Sequence, residues 1–141
     1  MKTRQNVLFL CTGNSARSQM AEAWLRKLAP DRFSAYSAGM DPKEINPLTR
    51  TVMAEVGCDL QGQYAKSVEQ YLGKLPVHWL VVVCDKAQGT CPRIWPGVEK
   101  RLYWPFDDPA AATGSEAERL VKFREVRDQI KARLEKWLSD A

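Results

Sequence analysis

The stretch Asn6-Val7-Leu8-Phe9-Leu10-Cys11, followed at once by Thr12-Gly13-Asn14-Ser15-Ala16-Arg17-Ser18, decides the fold. An apolar run with a polar start and a Thr-Gly turn at its end reads as a strand covered on both faces. From Ser15 the period changes. Met20, Trp24, Leu25 and Leu28 recur on one face until Ala29-Pro30, the pattern of a helix. Strand one therefore delivers the chain straight into helix one.

The same alternation continues outward. Arg32 to Ser37 is a second strand, closed by Ala38-Gly39, and Asn46-Pro47 supplies an N-cap and a first-turn proline for a helix through Val56, with Gly57 as its stop. Ser67 to Lys74 reads as a short helix. Trp79 to Cys84, with four apolar residues from Leu80 to Val83, is the strongest buried-strand signal, and Arg101 to Phe106 is a weaker, aromatic strand. Ser115 and Glu118 form a capping box. Behind it Leu120, Phe123, Arg127, Ile130, Leu134 and Leu138 trace a stripe that is apolar except at Arg127, so a long terminal helix is expected. Cys58 reads as core packing, and His78 and the tryptophans as loop and core residues.

Strands alternating with helices imply an α/β fold, a parallel sheet wrapped on both faces, because parallel neighbours need right-handed helical crossovers. Ligands of such sheets bind beyond the carboxyl ends of the strands, at the switch point. Cys11 and Cys84 end the two most apolar strands. If those strands are neighbours, both sulfurs face one crevice.

A chain of 141 residues, 45% of them apolar, fits one domain over 1–141, with no repeat, linker or low-complexity tract. No stretch approaches the roughly eighteen apolar residues of a membrane span, and the first residues lack a secretion signal, so a cytoplasmic protein without membrane attachment is expected. Four cysteines are too few for a stapled secreted scaffold and read as reduced thiols. The net charge of +4, with basic residues scattered among acidic ones, permits an anionic substrate and speaks against nucleic acid.

Cys11 to Ser18 has the form Cys-x5-Arg-Ser between a strand and a helix, and each part has a physical task. Gly13 is expected to let the backbone turn, so that the amides of Thr12, Gly13, Asn14, Ser15, Ala16 and Arg17 point at a tetrahedral oxyanion resting on the helix N-terminus. The guanidinium of Arg17 adds a planar fork of donors. The same positive field stabilises a thiolate, which makes Cys11 a nucleophile. Ser18 can donate to the sulfur. The Gly-Lys-Ser/Thr ending of a nucleotide-binding loop is absent, which disfavours nucleotides.

Cys11 to Glu22, Tyr36-Ser37-Ala38-Gly39, Cys84-Asp85, Cys91-Pro92, Phe106 to Ala110, Phe123-Arg124 and Val126-Arg127-Asp128 together carry a resemblance. The sequence resembles the low-molecular-weight tyrosine phosphatase superfamily and, within it, the thioredoxin-coupled arsenate reductases. The resemblance implies a single-domain three-layer sandwich with a four-stranded parallel sheet in the order 2-1-3-4. It implies arsenate as substrate, no tightly bound cofactor or metal, electrons from thioredoxin or a glutaredoxin system, and a monomer. Cys11 would attack arsenate, Cys84 would displace arsenite, and Cys91 would carry the disulfide outward.

Six residues, among them Gly89, lie between Cys84 and Cys91. Spacing alone leaves open that both are small buried hydrophobes. A disulfide needs Cα atoms within about 7 Å, which the loop reaches by folding back or partial rearrangement. Its two glycines and two prolines, from Asp85 to Gly97, make it a mobile segment by expectation.

By resemblance Asp108 is the general acid, while Asp107 reads as a turn or capping group. Asn14 is expected to hold the loop through hydrogen bonds with Ser37. Some relatives place a potassium ion near Asn14, Glu22 and Ser37, with an acidic residue where this chain has Lys66. An ammonium can replace that ion, so no potassium requirement is expected; the alternative is a solvated surface lysine.

The runner-up is a tyrosine phosphatase using Cys11, Arg17 and Asp108 on phosphate monoesters. It would usually carry tyrosines after the Asp-Pro pair, where this chain has Ala110-Ala111-Ala112. A third reading is a non-catalytic oxyanion- or arsenite-binding protein using the three thiols.

Overall fold

The computed structural model describes residues 4–84 and 97–140. β1 (Gln5–Cys11) leads into α1 (Arg17–Leu28), β2 (Phe33–Gly39), α2 (Pro47–Glu55), β3 (Trp79–Val82), β4 (Lys100–Tyr103) and α3 (Glu116–Asp140). The sheet has the order β2-β1-β3-β4 with every neighbouring pair parallel. β1 is a central strand, which is why Val7, Leu8, Phe9 and Leu10 are all fully buried. Each such aliphatic or aromatic side chain contributes roughly 1.5–3 kcal/mol by leaving water. The chain leaves β1 toward β2 on one side and returns to β3 on the other. The carboxyl ends of β1 and β3 are thus the switch point of the sheet, where the crevice forms.

Several boundaries differ from the sequence reading for identifiable reasons. α1 starts at Arg17, not Ser15, because Asn14 is left-handed (φ 50) and Ala16 is non-helical. Ser67 to Lys74 is not one helix: a 3-10 turn, Val68–Gln70, is followed by turns around the left-handed Gly73. β4 ends at Tyr103, before Pro105, which has no amide to donate to a ladder. The chain still follows β3, since the amides of Trp104 and Phe106 donate to the carbonyls of Val82 and Val83. The capping box forms as expected: the amide of Glu118 donates to Ser115 Oγ and that of Ser115 to Glu118 Oε1.

α3 packs beside α1 and α2 through Phe123, Val126, Ile130 and Leu134, and the Trp24 indole donates to the carbonyl of Arg127. Arg127, the one charged member of the stripe, is buried. Its Nη1 donates to the carbonyl of Val52 at 3.0 Å and to Glu55 Oε1 at 2.9 Å. α2 has no basic residue in its own last turn, so α3 supplies the cation that the negative end of that helix favours. Arg124 grips the same carboxylate in a fork.

Arg124 first, and Arg127 with it, hold the Glu55 carboxyl down at about 2, from an ordinary 4.5. A depressed carboxyl stabilises the fold above its unfolded value, and that contribution disappears as pH falls through the folded one. Glu55→Gln should therefore melt below the parent at neutral pH, with the gap narrowing between pH 4.5 and about 2. A gap in melting temperature that is unchanged at acid pH would contradict the assignment.

Candidate functional site

Cys11 closes β1 and is 3% exposed, at the floor of the crevice. The next helix begins without a side-chain cap: its N-cap is Ala16, and no acidic residue sits in its first turn. Alanine is among the poorest N-cap residues, so the end of α1 is arranged to take its acceptor from elsewhere. An oxyanion above Cys11 would meet that need.

The loop between them is held by its carbonyls. The carbonyl oxygens of Cys11, Thr12, Gly13 and Ser15 accept from the amides of Met40, Asp41, Lys43 and Asn46, at 2.9 to 3.3 Å. That of Asn14 accepts from Gln19 Nε2 at 3.0 Å. In a trans peptide the N–H points opposite to the C=O. Anchoring these five carbonyls therefore turns the amides of Thr12 to Ala16 away from the anchoring residues, as an oxyanion cradle requires.

The turn is made by Asn14, not Gly13. Gly13 is outside the left-handed region, and a Cβ on it would meet only ordinary contacts, the nearest being Ser15 Oγ at 3.5 Å. Asparagine tolerates the left-handed conformation because its short amide can bond locally. Asn14 is fully buried, its Nδ2 donates to Ser18 Oγ, and its Oδ1 accepts from Gln19 Nε2 and the Lys66 amide. The expected bond to Ser37 is absent from this set. Ser37 instead donates to Glu22.

Arg17 is 2% exposed, and its Nη1 donates to the carbonyl of Phe106 at 3.1 Å. Its Nη2 lies 3.7 Å from Asp108 Oδ2, so the loop after β4 is registered against the guanidinium. Asp108 is the half-exposed carboxylate at the rim. Asp108, not Asp107, is also the capping group: its Oδ1 accepts from the Ala110 amide and starts the 3-10 turn Pro109–Ala111. Asp107 faces outward to Lys122 at 2.8 Å, which holds its carboxyl below the usual value.

Beneath the cradle lies a buried polar layer. Glu22 takes Ser37, Arg26 at 2.6 Å and the Lys66 ammonium at 3.6 Å. Lys66 is 5% exposed, so the solvated-lysine alternative is excluded. Its Nζ donates to the carbonyl of Tyr64 at 2.7 Å and reaches Ser37 Oγ at 3.4 Å. Burial pushes its ammonium below the usual lysine value, opposed by Glu22. Gln19, Gln63 and Gly39 belong to this support and were not singled out as site residues from sequence, whereas Glu22 entered only by resemblance, as a neighbour of the potassium site. The signal was there for Gln19 and Glu22: polar residues inside a first helix that is buried from Arg17 to Leu25 must find partners.

The thiols divide cleanly. Val83 donates to Leu10 across the β1–β3 pair, which sets Cys84 one residue past the level of Cys11 on the adjacent strand. Cys84 is fully buried and disulfide-bonded, whereas Cys11 and Cys58 are free. Burial raises the Cys58 thiol, in keeping with packing. Cys91, and the expected mobile loop from Asp85 to Gly97 except for Gly97 itself, lie outside the described residues. Among the described residues no group of three His, Cys, Asp or Glu could hold a metal ion, and no helix is long and apolar enough to cross a membrane.

A family model described as low molecular weight phosphotyrosine protein phosphatase matches residues 6–141. An arsenate reductase of Halalkalibacterium halodurans is 41% identical over 128 residues, covering 91% of each chain. An arsenate reductase of Bacillus subtilis is 40% identical over 131 residues, covering 93% of each. A solved structure described as an arsenate reductase in the phosphate binding state matches with a TM-score of 0.81 at 29% identity, covering 96% of this chain and 98% of that one.

Gly39 gives the geometry a sharp test. A Cβ there would lie 2.6 Å from the Thr12 carbonyl oxygen and 2.9 Å from the Asn14 amide nitrogen, both backbone atoms that cannot swing aside. Gly39→Ala should displace the cradle amides from Cys11 and slow its capture by iodoacetamide about tenfold, since the thiolate is the reacting form. Parent-like reactivity would mean that the close approach is not needed.

Proposed function

The chain belongs to the low molecular weight phosphotyrosine protein phosphatase family, and we propose that it is an arsenate reductase, turning arsenate into arsenite in arsenic detoxification. The observation that carries this reading beyond phosphate-ester chemistry is the pairing of thiols. Cys84 follows the strand beside the nucleophile's, one residue past the level of Cys11, and is fully buried. The curated relatives described above, about two-fifths identical, bear the same name. The phosphatase alternative is not favoured: Ala110, Ala111 and Ala112 offer no ring to flank an aryl ester.

Arsenate rests on the amides from Thr12 to Arg17, with the Arg17 guanidinium and Ser18 at the same end of the cradle. The Cys11 thiolate attacks arsenic, one As–O bond breaks, and the departing oxygen takes a proton from Asp108 and leaves as water. The Cys84 thiolate then attacks Cys11 Sγ. A sulfur–sulfur bond forms, the sulfur–arsenic bond breaks, and its electron pair stays on arsenic, which leaves as arsenite. The Cys91 thiolate attacks Cys84 Sγ and displaces Cys11 as a thiolate. The resulting disulfide accepts two electrons from a dithiol protein, thioredoxin in preference to a glutaredoxin system because two resolving thiols are present.

Asn14, Ser37 and Lys66 serve as loop support. The Lys66 ammonium reaches Ser37 and Glu22, two of the groups near which the ion is placed in relatives, and donates to the Tyr64 carbonyl, so this chain does not fit the ion.

The test is arsenate turnover with thioredoxin, thioredoxin reductase and NADPH. Cys11→Ser and Cys84→Ser should lose turnover, Cys91→Ser should stop after a single turnover, and exchanging sodium for potassium should leave the parent rate unchanged. Sustained parent-like turnover by Cys91→Ser would overturn the relay, and potassium activation would overturn the role of Lys66.

A further inference from the structure

Gln19 and Gln63 take no chemical part in the relay, yet both are buried, Gln19 completely and Gln63 to 7% exposure. A buried primary amide must place two N–H groups and an oxygen, and leaving one unmet costs about 1–3 kcal/mol. Three acceptors converge on Gln19 Nε2: the Asn14 carbonyl at 3.0 Å, Asn14 Oδ1 at 2.9 Å and the Tyr64 carbonyl at 2.9 Å. One donor meets its oxygen, Gln63 Nε2 at 2.7 Å, which also reaches the Gln19 carbonyl at 3.3 Å. This arrangement works in one orientation of the Gln19 amide and fails in the flipped one.

The cradle depends on that orientation at one place. The carbonyls of Cys11, Thr12, Gly13 and Ser15 are held by backbone amides, which no side-chain substitution removes. The carbonyl of Asn14 is held by Gln19. The peptide between Asn14 and Ser15 therefore takes its direction from a side chain, and the Ser15 amide of the cradle belongs to that peptide.

We infer that Gln63 and Gln19 are a positioning pair: Gln63 orients the Gln19 amide, and Gln19 fixes the Asn14–Ser15 peptide so that the Ser15 amide faces the oxyanion. The inference rests on reading the loop from Cys11 to Arg17 as the oxyanion cradle. It extends that site to the segment Leu60 to Lys66, whose Gln63 side chain and Tyr64 carbonyl complete the Gln19 contacts.

The test measures protection of Cys11 from iodoacetamide by inorganic phosphate, with Cys11 followed by peptide mass and folding by thermal melting. It needs no arsenate turnover. Gln19→Glu puts an acceptor against three acceptors, and Gln63→Glu puts an acceptor against the Gln19 oxygen, which drives the Gln19 amide to flip. Gln63→Met keeps the volume and removes the donor without repelling that oxygen. Phosphate affinity should fall about tenfold or more in both glutamate variants, equivalent to about 1.4 kcal/mol, and less in Gln63→Met.

If Gln19→Glu fails to fold, the contrast between the two Gln63 variants decides the matter. Parent-like protection in both Gln63 variants, or losses that follow melting temperature and not the flip, would overturn the pair alone. A parent that phosphate does not protect would overturn the cradle as well.

Discussion

Asn14 carries the conformation on which the site is built. Its left-handed φ of 50 turns the chain between the end of β1 and the start of α1, and its buried side chain is tied to Ser18, Gln19 and Lys66. Non-glycine residues pay for this conformation, and here the surrounding contacts over-determine it. Gly39 lets β2 run close enough to seal the turn, and the backbone from Met40 to Asn46 takes up the loop carbonyls. The direction of the loop amides follows from planar peptides once those carbonyls are fixed. Arg17 then starts the helix with its guanidinium already engaged by Phe106 and close to Asp108.

A cradle that gathers positive field must be supported by charges beneath it without collapsing onto them. Glu22 and Lys66 form that layer, paired with each other, and the exposed Arg26 reaches the same carboxylate from the surface. Buried ions cost several kcal/mol apiece when left alone, so removing one partner costs more than the pair itself contributes. The layer also ties β2, through Ser37, and the segment around Tyr64 to α1. Chemistry at Cys11 is thus connected to residues on three separate stretches of chain.

Much of this was legible from residues alone. The continuous apolar runs of β1 and β3 announce strands buried on both faces, and the change of period at the cradle announces the helix. Cys-x5-Arg at that junction points to the nucleophile. What could not be read was decided by partners far away in sequence. The turn is assigned to Gly13 from sequence, and only the φ angle shows that Asn14 makes it. Ser37 was expected against Asn14, but the carboxylate of Glu22 lies within its reach and is the stronger acceptor. The cap is assigned to Asp107 from sequence, but Asp108 caps the following turn and lies near Arg17, while Asp107 reaches Lys122 on α3. Gln19 and Gln63 meet across 44 positions, a contact no local pattern encodes.

The account stands or falls on the cradle being formed before chemistry begins. Calorimetric titration of Cys11→Ser with inorganic phosphate, beside the same protein also carrying Arg17→Ala, addresses this directly because the serine keeps the loop and removes the nucleophile. The account predicts one phosphate bound per chain, displaced by arsenate, with binding lost when Arg17 is removed. Absence of binding in Cys11→Ser, or binding indifferent to Arg17, would contradict it.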